Sequence, residues 1–269
     1  MSEGVHIREE LHFGDRVLRC FADRPASLEA KLAASFAVSA DREALVDAQR
    51  RLTYRALDER IDAAAGLFWH KGLRAGDRVG VVVPNRAEFV IAILAAQRIG
   101  AIPVPINVRE SAHEIAFILA DCEAAGLVFD PSQDSAADAA AALADGVWGL
   151  AIDDLWNAES GEGYLRPERR DPDETVCILY TSGTTGKPKG ALLCDLNILH
   201  SILHYEHHLG LGSPDVALLV VPATHITGLI GLIMAPLGAG AKVVMMEGFN
   251  TSALVTTAAR EGMTYTIMV

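Results

Sequence analysis

Short apolar runs alternate with helical patterns along nearly all of this 269-residue chain. Asp77–Val83 reads as a buried strand, Arg-Val-Gly-Val-Val-Val, ending at Pro84. Asn85 is placed to cap the next helix, with Glu88 three residues on. Ile102–Pro105 is a short strand. Ser111-Ala112-His113-Glu114 opens a further helix as a capping box, with Ile115, Ile118 and Leu119 inward. Gly126–Phe129 and Val147–Ile152 are strands on either side of an alanine-rich helix. Residues 54–70 carry Leu57, Ile61, Ala65 and Phe68 on one helical face. This order predicts an α/β fold: alternating strands and helices, in mostly parallel sheets flanked by helices.

The pattern pauses at Asn157–Asp173, a polar stretch with two glycines and two prolines. It reads as a linker (157–173) between a first α/β subdomain (1–156) and a second (174–269). Beyond it, Thr175–Tyr180 is a strand, followed by a glycine-rich loop, and Asp195 caps a helix to about Leu209. Val216–Val221 is a strand, His225–Leu237 a helix, Ala241–Met246 a strand and Ser252–Glu261 a helix. Met263–Val269 reads as an interior strand, so the second subdomain is expected to be incomplete at its C-terminal end and the chain to be part of a larger domain.

A 51% apolar and 22% charged composition excludes a disordered chain. The net charge of −12 argues against a general electrostatic footprint for nucleic acid. Residues 1–10 lack the apolar run of a secretory signal. Cys20, Cys122, Cys177 and Cys194 are scattered, which suits reduced thiols in a cytoplasm. Val216–Ala241 has no Lys, Arg, Asp or Glu and is long enough to span a bilayer. Pro222, His225 and Pro236 interrupt it, and a buried strand followed by a buried helix explains it better than a transmembrane segment.

The chemistry concentrates in Tyr180-Thr181-Ser182-Gly183-Thr184-Thr185-Gly186-Lys187-Pro188-Lys189-Gly190. Glycine lets backbone approach a ligand closely, and hydroxyls, free N–H groups and lysines are phosphate donors. From Thr175 to Cys194 the two lysines are the only formal charges. The loop is not a Walker P-loop: Thr181 stands where that motif needs its first glycine, and Pro188 follows Lys187.

This run resembles the pyrophosphate-binding loop of the adenylate-forming superfamily, which includes acyl-CoA synthetases, aryl-CoA ligases and peptide-synthetase adenylation domains. Leu52-Thr53-Tyr54-Arg55-Ala56-Leu57, Arg98–Ile106 and Pro222-Ala223-Thr224-His225-Ile226-Thr227-Gly228-Leu229 resemble other motifs of that family, in the same order. The resemblance implies that Ser182, Gly183, Thr184, Thr185, Gly186 and Lys189 hold the phosphates of ATP. It implies Thr181 as a phosphate-loop and Mg²⁺ contact, and places Lys187 at a variable position. His225 would lie near the carboxylate substrate and the α-phosphate, with Thr227 and Gly228 lining the acyl pocket. The implied activity is that of an AMP-forming acid–thiol ligase: a small carboxylic acid becomes an acyl-adenylate, then a thioester of coenzyme A. His225-Ile226-Thr227-Gly228 looks more like the acyl-CoA ligase branch than the peptide-synthetase branch.

The chain holds no Tyr-Gly-x-Thr-Glu motif, and the family's ribose-binding Asp, hinge and late catalytic Lys find no match. All are expected beyond Val269, in the C-terminal half of the same enzyme, so the 269-residue chain is expected not to form an adenylate alone. The alternative is a non-catalytic phosphate- or nucleotide-binding domain lacking the distal motifs. A second copy of the chain is a candidate partner. His200, His204, His207 and His208 share one helix. With Ile198, Ile202, Tyr205 and Leu209 as its buried stripe, they are expected on a solvated or partner-facing surface rather than around a metal.

Overall fold

The computed structural model describes residues 6–159, 163–167, 171–181 and 187–268. The chain opens with β1 (Ile7–His12), β2 (Arg16–Phe21), α1 (Leu28–Val38), β3 (Glu43–Val46), β4 (Arg51–Thr53) and α2 (Tyr54–His70). Next come β5 (Arg78–Val82), α3 (Ala87–Arg98), β6 (Ile102–Pro105), α4 (Ala112–Asp121), β7 (Ala124–Phe129), α5 (Asp134–Ala141), β8 (Trp148–Ala151) and α6 (Ile152–Trp156). The rest is β9 (Thr175–Thr181), β10 (Lys189–Cys194), α7 (Asp195–Leu209), β11 (Val216–Leu219), a π-helix (Thr227–Met234), α8 (Ala235–Ala239), β12 (Lys242–Met245) and α9 (Thr251–Glu261).

One sheet has the order β6-β5-β7-β8 and is wholly parallel. The other has the order β11-β12-β3-β4; its β11–β12 and β12–β3 pairs are parallel and β3–β4 is antiparallel. The second sheet therefore joins strands from before and after residues 157–173. One apolar cluster runs from Val79 and Val81 of β5 through Phe89 and Ile93 of α3 and Leu57 and Ile61 of α2 to Leu45 of β3 and Val243 of β12. The helices α2 and α3 thus form a layer between the sheets, and α3 is buried along most of its length because Phe-Val-Ile-Ala-Ile-Leu leaves it no polar face. The fold class is the α/β arrangement read from the sequence. Two antiparallel hairpins, β1–β2 and β9–β10, lie outside that reading.

The capping box at Ser111 and Glu114 forms as expected. Asn85 does not cap α3. Its amide donates to the carbonyls of Val221 and Met246, each at 2.9 Å, and its Oδ1 accepts from the Ala223 N–H at 2.8 Å. The N–H of Ala87 goes instead to Asp47 Oδ2 at 2.9 Å, a carboxylate from the loop after β3. The start of α3 faces the other sheet, so its acceptor comes from there and Asn85 is released to bridge. Asp195 is likewise no cap of its own helix: both its oxygens accept the Leu28 N–H at 3.1 Å, at the start of α1. Asn197 Oδ1 accepts the Cys194 N–H instead.

Three further expectations change. The segment His225–Leu237 is helical only from Thr227, and its first eight residues are π-helical. Gly228 sits so close to the Pro222 carbonyl that a Cβ would lie 2.3 Å from its oxygen, and a Cβ at Gly231 would lie 2.7 Å from the Tyr205 hydroxyl. These close approaches, with the Tyr265 hydroxyl donating to the Gly231 carbonyl at 2.9 Å, accompany the widened turns. Met263–Met268 forms no strand: a single parallel bridge joins Tyr265 to Ala217, because the Thr264 and Tyr265 N–H groups both turn to the Val216 carbonyl. On α7, Ile198 and Ile202 are buried but Leu209 is exposed. The hairpin β1–β2 covers a second side of this helix, so Leu199 and Leu203 are buried on Phe21. The Phe21 ring also meets His200, His204 and His207 at 4.9–5.1 Å between centroids, so these histidines do not form a purely solvated face.

Buried carboxylates are paired. Glu88 meets Arg50 and Arg86, and Asp130 meets Arg86 at 3.0 Å. Glu261 meets Arg51, Lys242 and Arg260. The four cysteines are buried and unpaired. Among the described residues, no helix is long and apolar enough to cross a membrane.

Candidate active site

The glycine-rich run connects two paired strands. Thr181 ends β9, Lys189 starts β10, and the two are register partners with exposed side chains. Ser182, Gly183, Thr184, Thr185 and Gly186 lie outside the described residues. The stem below them is fixed from both sides. The Tyr180 hydroxyl donates to Asp121 Oδ2 at 2.5 Å, at the end of α4. Burial, then Asp121, pushes the Tyr180 phenol above its usual pKa, so it keeps this proton. Its register partner is Gly190, where a Cβ would come within 2.9 Å of Ile178 and 3.2 Å of the Tyr180 ring. Glycine at 190 is what lets the ring lie across the hairpin.

Lys187 and Lys189 are exposed, and among the described residues neither has an ion-pair partner. Lys187 Nζ lies 5.9 Å from the centre of the Phe117 ring. Among the described residues, no carboxylate therefore pairs with the positive charge at this turn. The alternation of Lys189-Gly190-Ala191-Leu192 carries no burial pattern (all four are exposed), which is why β10 escapes a reading by hydrophobic period.

A cleft of about 300 Å³ lies where the carboxyl ends of strands from the two sheets face each other. Asn85, Asn107, Arg109, Thr224 and Phe249 are among its lining residues. Open α/β sheets bind ligands in such crevices. Asn85 holds the cleft's two sides together through the bonds to Val221, Ala223 and Met246 described above. His225 is exposed and follows the lining residue Thr224, Thr227 is half-buried, and Gly228 is buried. Burial and Glu114 push the Glu110 carboxyl above its ordinary range, while the charge of His225 pulls the other way. Glu110 lies in the turn that follows β6, and β6 in turn packs against β9. The structure brings together Thr181 and Lys189 at the hairpin; His225 follows the lining residue Thr224, and Thr227 and Gly228 open the π-helix after it. Asn85 and Tyr180 are site-forming residues that a local reading of the sequence misses, since their partners lie far away along the chain.

The family model for AMP-binding enzymes matches residues 32–269. A probable CoA ligase from Humulus lupulus is 33% identical over 234 residues, covering 83% of this chain and 44% of that protein. The crotonobetaine/carnitine–CoA ligase of Escherichia coli is 33% identical over 220 residues, covering 76% of this chain and 42% of that protein. Among solved structures, the inhibitor-bound N-terminal domain of FACL13 from Mycobacterium tuberculosis superposes with a TM-score of 0.81 at 25% identity, covering 90% of this chain and 62% of that one. The O-succinylbenzoate coenzyme A synthetase of Bacillus subtilis, in complex with AMP, gives 0.78 at 27% identity, covering 88% of this chain and 60% of that one. The chain spans less than half the length of these curated relatives. It belongs to the AMP-binding enzyme family.

Proposed function

We propose that this chain supplies the phosphate-binding hairpin and part of the acyl site of an enzyme that activates a carboxylic acid as an acyl-adenylate and transfers the acyl group to coenzyme A. The observation that carries the reading is the hairpin mouth, where Thr181 and Lys189 are exposed register partners and, among the described residues, Lys189 has no ion-pair partner. Adenylation joins two anions: the substrate carboxylate attacks the α-phosphorus of ATP, and pyrophosphate leaves with added charge. Lys189 would supply an ammonium to stabilise that departing charge, and Ser182, Gly183, Thr184, Thr185 and Gly186 of the same sequence run would add hydroxyls and N–H groups. The exposed Thr181 hydroxyl, register partner of Lys189, suits a Mg²⁺ ion held mainly by phosphate oxygens. Bound there, the ion would offset phosphate charge, and Thr181 would hold it.

His225 is proposed to face the substrate carboxylate across the cleft, with Thr227 at the acyl pocket. Gly228 has no side chain to offer; its part is to let the π-helix approach the Pro222 carbonyl. The chain organisation proposed above places a connector at 157–173 between units that share a sheet. Limited proteolysis there should cut without separating the pieces.

The test is ATP–pyrophosphate exchange by the complete protein across a panel of carboxylic acids. Acid-dependent exchange supports the proposal, and the 269-residue chain alone is expected to show none. Nucleotide binding by the complete protein with no exchange for any acid would overturn it in favour of a non-catalytic nucleotide-binding domain.

A further inference from the structure

The hairpin β1–β2, which contributes nothing to the cleft's lining, brings Glu10, His12 and Cys20 together, with their ligand atoms all within 4.8 Å of one another. Among the described residues it is the one group of this kind. Cys20 is 1% and His12 5% exposed. Hairpin register explains the grouping: Glu10 and His12 alternate onto one face of β1, and Cys20 on β2 points to the same side. His12 Nε2 stands 3.8 Å from Cys20 Sγ and 3.5 Å from Glu10 Oε2. A tetrahedral zinc centre with ordinary bond lengths sets its nitrogen and sulfur about 3.6 Å apart, and its nitrogen and oxygen about 3.4 Å apart. The two pairs that His12 makes are therefore nearly at coordination spacing, and Cys20 and Glu10 lie within 4.8 Å of each other.

The surroundings are also those of a ligand set. His12 Nδ1 lies 2.7 Å from Asp173 Oδ1, a carboxylate far along the chain, just before β9. That contact fixes the proton on Nδ1 and turns Nε2, with its lone pair, toward Cys20 and Glu10. The guanidinium of Arg24 engages both Glu10 oxygens and Arg8 engages Oε1, which orients the carboxylate and leaves lone-pair capacity on Oε2.

We propose that Cys20 Sγ, His12 Nε2 and Glu10 Oε2 form a site for a divalent transition-metal ion of the zinc type, with Asp173 as the group that orients His12. Thiolate, imidazole and carboxylate together are a zinc donor set, and a metal here would tie β1 to β2, with the His12–Asp173 contact linking that hairpin to the segment entering β9. Binding balances simply: the Cys20 S–H bond breaks, the proton leaves to solvent, and the sulfur lone pair forms the metal bond. Solvent reaching past Glu10, whose side chain is 18% exposed, fills the remaining position.

Cobalt(II) titrated into the whole chain tests this directly. One equivalent should produce near-ultraviolet sulfur-to-cobalt charge-transfer absorption, competed away by zinc. Cys20→Ser should abolish the absorption while Cys194→Ser keeps it, and Asp173→Asn should weaken affinity about 10- to 100-fold. X-ray absorption on the unmutated cobalt-loaded chain should show one sulfur in the coordination shell, a measurement that stands even if Cys20→Ser does not fold. Cobalt held by nitrogen and oxygen alone, as the histidines of α7 would hold it, overturns the proposal. So does absorption that survives Cys20→Ser.

Discussion

At the junction of the two sheets, Glu88 is 1% exposed and meets Arg50 and Arg86, and Arg86 also serves Asp130. At the β9–β10 hairpin, Lys187 and Lys189 stand in solvent without an ion-pair partner among the described residues. The first region spends its charges on holding structure, because a buried carboxylate that loses its partner is strongly unfavourable. The second leaves its charges open, which costs little in water and makes them available to an anion. Substitutions in the two regions should therefore fail in different ways: the junction loses stability and the hairpin loses rate.

The largest expected effect is at the junction. Glu88→Ala strands Arg50 and frees Arg86 from one partner, and should cost about 3–5 kcal/mol in urea unfolding. An unchanged unfolding midpoint would remove the buried pair from the account. Lys189→Met in the complete protein should lower ATP–pyrophosphate exchange about 100- to 1000-fold and weaken carboxylate binding much less. Its unfolding midpoint should stay within experimental scatter, as exposed substitutions usually do. A large shift in that midpoint would erase the contrast between the regions.

Asn85→Ala comes next. It deprives the Val221 and Met246 carbonyls and the Ala223 N–H of their partner, at about 2 kcal/mol. Amide exchange at Ala223 should quicken more than exchange at Val81, inside the parallel sheet.

The smallest effect is a pH dependence. Arg51, with Arg260 and Lys242, holds the Glu261 carboxyl at about 2, well below the usual carboxylate range. A depressed value means the stabilisation is complete above about pH 4.5 and is lost as pH falls through about 2. Glu261→Gln should flatten that acid limb and cost on the order of 1–2 kcal/mol at neutral pH, allowing for solvent screening of the half-exposed Arg51. A remaining slope is expected from Glu10, which Arg24 holds at about 2 in the same way.

Strand and helix order was legible because hydrophobic period is local, and the capping box at Ser111 was legible because its partners are three residues apart. Asn85 and Asp195 were misread for the complementary reason. Both have the composition of a cap, yet each serves a segment more than a hundred residues away. The hairpin β1–β2 and strand β10 escaped because their outer faces are exposed and carry no alternation to count. At the candidate site, Thr181 and Lys189 were singled out by residue type alone, and the structure pairs them across the mouth of one hairpin. Tyr180 bonding to Asp121 was not legible, since nothing in the spacing of those two residues points to a contact.

The pairing of β3 with β12 has a consequence during synthesis. Leu45 and Val46 meet Val243 and Val244, which leave the ribosome roughly 200 residues later. At cellular elongation rates the β3 edge waits about 10–40 s for its neighbour. The all-parallel sheet β6-β5-β7-β8 is assembled from adjacent stretches and can close in that interval, while the β3–β4 ribbon stays open to wrong partners. Nascent chains of this protein should therefore depend on a holding chaperone until the segment around Val243 emerges.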